Sequence, residues 1–542
     1  MPGSPVAERG AFEIIASQSA ESAPAIARAR TGVTAFIGRT LRGPLHRPVR
    51  IASFSDYQRS FGGLWQPSTL SYAIHQFFEN GGREALVVRV ANGARPPTLH
   101  LPGPRGELQL IGLNPGSREY LRAAIDYDGI PPQQSDRFNL NVQRLQMPGS
   151  ERIEDQEIWR RLSVGEDAGC GIVQALQASR LVRVQGSVPS ARPERTLGAG
   201  AAVAVGYVAC GADGDDGAPL SDYDVIGSAG EHSGLHALSP QERFDLLCIP
   251  PLARERAVGF AALLVALRLC RERHAMLVLD PPAGWNSVET ALAGLRSWPL
   301  RSADAVMFFP SLLQHDPLRN RLESFGSAAA GAALIARSEE SSPVWSPMRA
   351  DEPILRPGLK PAVAVSDIER ARLAQAGVNT LLALRSSART PLSLRTLASA
   401  TSDSSDWQHL AARRLALFVV SSIENGTAWL RDVPSGPTVW SRAQAQVAQF
   451  LEELSRDGAF ASTRSDESYF VICDERLNPP EHLGAPRTDL LFGFALTRPA
   501  DFHAFRLTQA RGVSRVRPIV VNRLSTCRPR VESEIESSIL SS

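Results

Sequence analysis

The sequence predicts a multidomain protein that mixes α/β and α+β architecture. Its 542 residues suffice for roughly three or four domains of about 100–200 residues each. The apolar pattern also changes class along the chain, from short runs broken by Pro and Gly to strands alternating with helices. Both ends, finally, carry a short β-prone island with too few apolar neighbours to form a core.

Residues 1–24 read as an N-terminal arm around Phe12-Glu13-Ile14-Ile15. Residues 25–92 read as a compact βαβ-like unit. Thr34–Ile37 is a buried strand, and Ser68 caps a helix with Leu70, Ile74, Phe77 and Phe78 on one face. Gly81-Gly82 stops that helix before the strand Ala85–Val90. From 93 to 225 short runs such as Phe138–Val142 and Leu181–Val184 predict a mostly antiparallel β domain, interrupted by one helix near Glu154–Leu162.

Residues 226–399 alternate again: strand Phe244–Ile249, helix Arg254–Arg273, strand Ala275–Leu279, strand Ala303–Phe309. A helix joining two strands makes them parallel neighbours with a right-handed crossover. Residues 400–510 hold two amphipathic helices. Leu415 and Phe418 face the core from the first, and Phe450 and Leu454 from the second, which runs between Ser441 and Gly458. Strands follow at 469–473, 490–496 and 502–508. Residues 511–542 read as a C-terminal arm, basic first and then acidic, around Ile519-Val520-Val521; Pro518 restricts that island to a sheet edge.

Composition excludes several classes. With 58 basic and 56 acidic side chains the net charge is +2, too balanced for a protein that grips phosphate backbones. Lys360 is the only lysine, as a GC-rich genome would give. Arginine forks suit bidentate pairing with carboxylates. Six scattered cysteines without a CxxC pair form neither a disulfide framework nor a zinc site, so no metal and no cofactor is expected. The apolar stretch Phe260–Cys270 contains Arg268 and falls short of the ~20 residues that span a bilayer. With no signal-peptide pattern at the start, the expectation is a soluble chain made in the cytoplasm, without membrane insertion.

Several stretches follow one another in order: Thr34-Ala35-Phe36-Ile37-Gly38-Arg39-Thr40-Leu41-Arg42-Gly43-Pro44, Phe61-Gly62-Gly63, Gln76-Phe77-Phe78-Glu79-Asn80-Gly81-Gly82 and Val87-Val88-Arg89-Val90. Further on come Leu279-Asp280-Pro281-Pro282, Gly377-Val378-Asn379, Arg395-Thr396-Leu397, Ser421-Ser422-Ile423-Glu424, Trp429 and Arg498-Pro499-Ala500-Asp501-Phe502. This order of segments resembles the contractile phage tail sheath family. Ser393-Leu394 and Leu430–Pro437 depart from the family pattern.

The resemblance implies an inner α/β domain built from both chain ends (25–92 with 400–510), an inserted β-rich domain (93–225) and a middle subtilisin-like domain (226–399). It implies hexameric rings of the chain stacked helically around a tail tube protein, with baseplate and tail-terminator proteins at the ends, in a virion tail or injection particle assembled in the bacterial cytoplasm. Arms joining subunits by strand addition would use Phe12, Ile14 and Ile15 at one end, and Val516, Ile519, Val520 and Val521 at the other. Arg413, Arg414 and Glu424 would face the tube.

Other chemistry is weaker. Asp280, His315 and Ser327 stand in Asp…His…Ser order, which opens an alternative reading as a serine hydrolase with a β-rich accessory domain. No Gly-x-Ser-x-Gly elbow is present, and the residues between His315 and Ser327 have a helical pattern. Another tail or baseplate component is a further alternative. Asp213-Gly214-Asp215-Asp216-Gly217 has Gly217 and Ala218 where a calcium loop wants an oxygen ligand and a glycine, so it reads as an acidic turn. Gly198-Ala199-Gly200 lacks the third glycine of a dinucleotide fingerprint. The tail's arginines have glutamates close behind and no interleaved aromatics, which argues against nucleic acid.

Overall fold

The computed structural model describes residues 24–165, 171–196, 206–239, 241–346, 355–382, 393–400 and 406–519. Phe12, Ile14, Ile15, Val520, Val521 and the Gly198–Gly200 loop lie outside them. The chain forms two compact units, one built from the described residues within 31–342 and 355–400 and a smaller one from 24–30, 343–346 and 406–519.

The larger unit is organised on β1 (Val33–Gly38), all six of whose residues are buried. A strand apolar on both faces needs neighbours on both edges and cover on both sides, the condition of a buried parallel strand. After β2 (Val49–Ile51) and α1 (Phe54–Phe61), α2 (Thr69–Glu79) returns the chain to β3 (Glu84–Arg89), parallel to β1. Ser68 caps α2 as expected, its Oγ accepting the Ser71 N–H at 3.1 Å.

The chain then leaves this sheet for the β-rich insertion. It consists of β4 (Thr98–Leu101), β5 (Leu108–Gly112), β6 (Tyr120–Asp126), β7 (Arg137–Leu145), β8 (Ile153–Ser163), β9 (Val182–Val184) and β10 (Val208–Ala209). They form two antiparallel sheets, β10-β6-β7-β8 and β4-β5-β9, around a core that includes Leu99, Leu110, Ile125, Phe138 and Leu140.

Strand β8 replaces the helix expected at 154–162. Its residues alternate, with Asp155, Glu157 and Trp159 half-buried and Gln156, Ile158 and Arg160 exposed. The acidic residues of this strand answer cations across the sheet: the Arg144 guanidinium lies 3.6 Å from Asp155 and 3.9 Å from Glu154, and 3.5 Å from the buried Glu119. Period two, supported by cross-strand pairs, wins over helix propensity.

The return strand β11 (Leu246–Cys248) pairs parallel with the free edge of β1. Helix α3 (Phe260–Glu272) leads to β12 (Met276–Leu279), and α4 (Val288–Arg296) to β13 (Ala305–Phe309). Helix α3 starts later than expected because Ala253 and Arg256 close a tight turn and the chain stays non-helical to Gly259, the N-cap. Next come a hairpin, β14 (Leu312–Asp316) and β15 (Arg321–Phe325), and then α5 (Ala328–Ser341). Strand β16 (Leu359–Pro361) adds to the hairpin, and α6 (Asp367–Gln375) precedes β17 (Val378–Thr380). The finished order is β17-β13-β12-β11-β1-β3-β2, parallel except for β2.

Residues 31–92 therefore share a sheet with 246–380. This corrects the expectation that 25–92 builds one domain with 400–510: only 24–30 join the later residues. The reason is the doubly apolar β1, which β11 and β3 flank on both edges.

The smaller unit packs α7 (Leu410–Gly426) and α8 (Pro437–Arg456) with a four-stranded antiparallel sheet. Its strands are β18 (Tyr469–Ile472), β19 (Arg487–Ala495), β20 (Phe502–Ala510) and β21 (Val513–Ile519), in that order. Leu415, Phe418, Phe450 and Leu454 are all buried in its core. Helix α8 begins at Pro437 after Gly436, a turn before Ser441, because proline at the first helical position lacks only an N–H that would have no partner there. Among the described residues, no helix is long and apolar enough to cross a membrane.

Candidate assembly surface

In the smaller unit the first described residues lie along α7 and α8. Ile26 is buried against Gly426, where a Cβ would come within 2.7 Å of its side chain. The Ala29 N–H donates to Ser422 Oγ at 2.9 Å, Gln446 Nε2 donates to the Pro24 carbonyl at 2.6 Å, and Arg28 pairs with Asp457. Residues 24–30 are thus bound to their own chain.

The other end differs from its expectation. Val516 and Ile519 belong to β21, the second strand of a hairpin with β20, in register Leu507↔Val516 and Ala504↔Ile519. Val516 packs against the main core of the unit and Ile519 against the small cluster of Leu477, Leu491 and Ala504. Residues 513–519 are therefore not part of a coreless arm starting at 511. The turn at Arg511-Gly512, with Gly512 at φ +73°, folds them back onto β20. Strand β21 ends the sheet, and Pro518 sits in this edge strand, where a missing donor is tolerated. Val513, Arg515 and Arg517 are exposed along it.

The three residues expected at the tube fare differently. Arg414 is 3% exposed, so its burial removes it from any surface that a partner could touch. Arg413 is half-buried with its guanidinium 5.0 Å from the Trp407 ring centre. The Glu424 carboxylate accepts from Ser514 Oγ at 2.7 Å and its carbonyl from Gln509 Nε2 at 2.8 Å, which ties α7 to the β20–β21 hairpin.

Sequence reasoning missed two polar clusters here. Buried Asp406 accepts from Thr497 Oγ1 and faces His503 Nε2 at 3.0 Å; the His503 hydrogen bond holds its carboxyl below the usual range. Fully buried Asp489 accepts from Arg506 at 2.8 Å. Strand register joins Asp489 to Arg506, and packing of the Asp406–Gln408 turn onto β20 joins Asp406 to His503, so no local pattern signals either.

No family model matches the sequence, and no curated protein matches it. Solved structures do. The sheath tail protein from Listeria innocua superposes with a TM-score of 0.58 at 12% identity, over 93% of this chain and 99% of that one. The sheath tail protein from Desulfitobacterium hafniense gives 0.51 at 11% identity, over 90% and 98%. This chain has the sheath tail protein fold. The PVC sheath of an extracellular contractile injection system, in its contracted state, matches over 98% of both chains at 14% identity with a TM-score of 0.49.

Within this sheath fold the Asp…His…Ser series is not brought together. The segment from His315 to Ser327 is mainly the β14–β15 hairpin, not a helix. His315 is exposed and bonds Asn320 at 3.2 Å, whereas Ser327 is fully buried with Oγ donating to the Phe308 carbonyl at 3.0 Å. Ser327 stands where α5 begins, and Asp280 Oδ1 accepts the Ala328 N–H at 2.7 Å.

The acidic turn is structural. Asp213 accepts from Thr98, Asp216 from Ser117, and Asp215 Oδ1 from the Gly217 N–H. Arg39 donates to the carbonyls of Asp216 and Gly217 at 2.9 Å each. The three carboxylates turn to separate partners. Among the described residues, no group of three or more His, Cys, Asp or Glu side chains is arranged to hold a metal ion.

Proposed function

We propose that this chain is the structural subunit of a contractile sheath, and that copies of it stack as hexameric rings around a tail tube and contract to drive the tube through a target envelope. The observation that carries this reading is fold agreement with a sheath tail protein across 93% of this chain and 99% of the other, at a TM-score of 0.58. Such coverage includes the β-rich insertion and both units.

The local chemistry supports the same reading. An edge strand presents a row of unpaired backbone donors and acceptors, and adding a strand from a neighbour satisfies them. Strand β21 is such an edge, and the chain continues beyond it through Val520 and Val521. Phe12, Ile14 and Ile15 on the other arm supply a β-prone segment of the kind that edge accepts. Arg413 and Glu424, which keep partial exposure, would face the tube. Baseplate and tail-terminator proteins would cap the lattice in a particle assembled in the bacterial cytoplasm.

Deletion of residues 1–20, or termination after Ile519, tests the arms. Both proteins should stay folded, because neither deletion touches β21 or the 24–30 segment, and both should fail to polymerise. Normal sheaths from either protein would make the arms passive.

A further inference from the structure

We propose that the cavity at the carboxyl ends of β11, β12 and β13 is a binding site for a small organic cation, an alkylammonium or alkylguanidinium with a short apolar body. The site is independent of the sheath reading, since it lies wholly within the larger unit.

Position comes first. Strand β1 has β3 on one side and β11 on the other, so the order of strands reverses beside β11. In open parallel sheets a crevice forms at the carboxyl ends next to such a reversal, and ligands bind there. The cavity, about 210 Å³, is lined where β11 gives way to Ile249, β12 to Asp280 and β13 to Ser311. Ile249, Val258, Leu263, Leu279, Trp298 and Phe325 make most of its wall apolar.

Its polar groups have a common sense. Asp280 has no cation within ion-pair distance among the described residues; one carboxyl oxygen accepts the Ala328 N–H. Gly326 lies against this carboxyl so closely that a Cβ would collide with it. Arg254 shares the wall, but its guanidinium is already held by Asp316 at 3.0 Å and by Glu323, and it covers the Phe325 ring at 4.5 Å. Burial works to raise Glu323, yet Arg321, Arg319 and Arg254 outweigh it and hold the carboxyl at about 2, so that pair stays ionised.

Gln76, 1% exposed, donates from Nε2 to Gln314 Oε1 at 3.1 Å, and Gln314 in turn reaches His75 Nδ1 at 3.0 Å. That series leaves Gln76 Oε1 buried with no partner among the described residues. A carboxylate without a cation and an amide oxygen without a donor both ask for a ligand that donates hydrogen bonds and carries positive charge. The Trp298 indole adds an aromatic face suited to a cation, and its Nε1–H, also without a partner among the described residues, would donate to a hydroxyl on the ligand's body.

Burial pushes the Asp280 carboxyl up to about 6, against the N–H groups of Ala328 and Ser327. Cation binding should therefore be full at neutral pH and fade as the pH falls below that value.

Titration calorimetry of the full chain with butylguanidinium and its neutral isostere butylurea tests the site. At about pH 7.5 butylguanidinium should bind saturably and butylurea about tenfold more weakly or worse, the cost of a lost charge-assisted hydrogen bond. The preference should disappear at about pH 5, below the carboxyl's pKa, and in Asp280→Asn, whose amide oxygen can still accept the Ala328 N–H. If N-acetylarginine methylamide binds more tightly than butylguanidinium, the cation belongs to a polypeptide side chain; weaker binding assigns it to a free small molecule. Equal affinity for the guanidinium and the urea, no binding of butylguanidinium by the wild type, or an undiminished preference in Asp280→Asn would overturn the proposal.

Discussion

The two main sheets of this protein solve the problem of their edges in opposite ways. The seven-stranded sheet is buried and parallel: β1 exposes none of its residues, and the lone antiparallel strand, β2, is three residues long. The four-stranded sheet of the smaller unit ends instead in β21, a seven-residue strand carrying Arg515 and Arg517 outward. Outward charge protects an edge from indiscriminate pairing while leaving its backbone free for a designated strand. The first sheet thus holds its unit together from within, whereas the second ends, among the described residues, in a charged edge strand that the proposed assembly would complete.

The largest effect should come from the core beneath the second sheet. Phe418→Ala should cost about 3–5 kcal/mol, read as a fall in the denaturation midpoint. A cost below about 1 kcal/mol would mean that the smaller unit's core is not what supports its open edge.

Asp280 should give the next effect, with the opposite sign. Its folded-state pKa of about 6 lies above the ordinary carboxylate value, so ionising it costs the folded state. That cost is full above about pH 6 and gone below about pH 4. Asp280→Asn should therefore stabilise the protein by up to about 2 kcal/mol near pH 7 and by nothing near pH 4. Thermal denaturation at the two pH values measures this, and equal shifts at both would refute the assignment.

Ser327→Ala should cost about 1 kcal/mol by leaving the Phe308 carbonyl without its donor. A fluorophosphonate probe should label neither the wild type nor this variant. Labelling at Ser327 in the wild type alone would restore the hydrolase reading.

The smallest effect on stability should be at the open edge. Arg515→Glu should change monomer stability by no more than about 0.5 kcal/mol, as exposed substitutions do. Its assembly should nonetheless be impaired. Assembly unchanged by this variant would show that the outward charge of β21 plays no part in choosing a partner.

The buried elements were the readable ones. Strand β1, the Ser68-capped α2 and the parallel succession β11, β12, β13 follow from apolar runs, caps and the short helical connections between successive strands, all of which are local signals. The core positions Leu415 and Phe418 followed from helical periodicity. Strand β8 did not, since Glu154, Asp155 and Glu157 look like a solvated helix until their arginine partners are supplied by other segments. Placing 31–92 beside 246–380 also required knowing which strand takes the free edge of β1, and local sequence carries no such information. At the end of the smaller unit, Pro518 marks an edge strand, but nothing local distinguishes the turn at Arg511-Gly512 from the start of an arm. The Asp406–His503 contact joins residues 97 apart and left no trace in either segment.

Electron microscopy of the purified full-length chain, alone and with a tail tube protein, bears most directly on the central claim. A sheath subunit should form hollow cylinders whose end views show six-fold rings, with the arm-deleted chains remaining small and monodisperse. If the full chain stays monomeric under every assembly condition, even with the tube protein present, the sheath fold in this protein serves some other purpose.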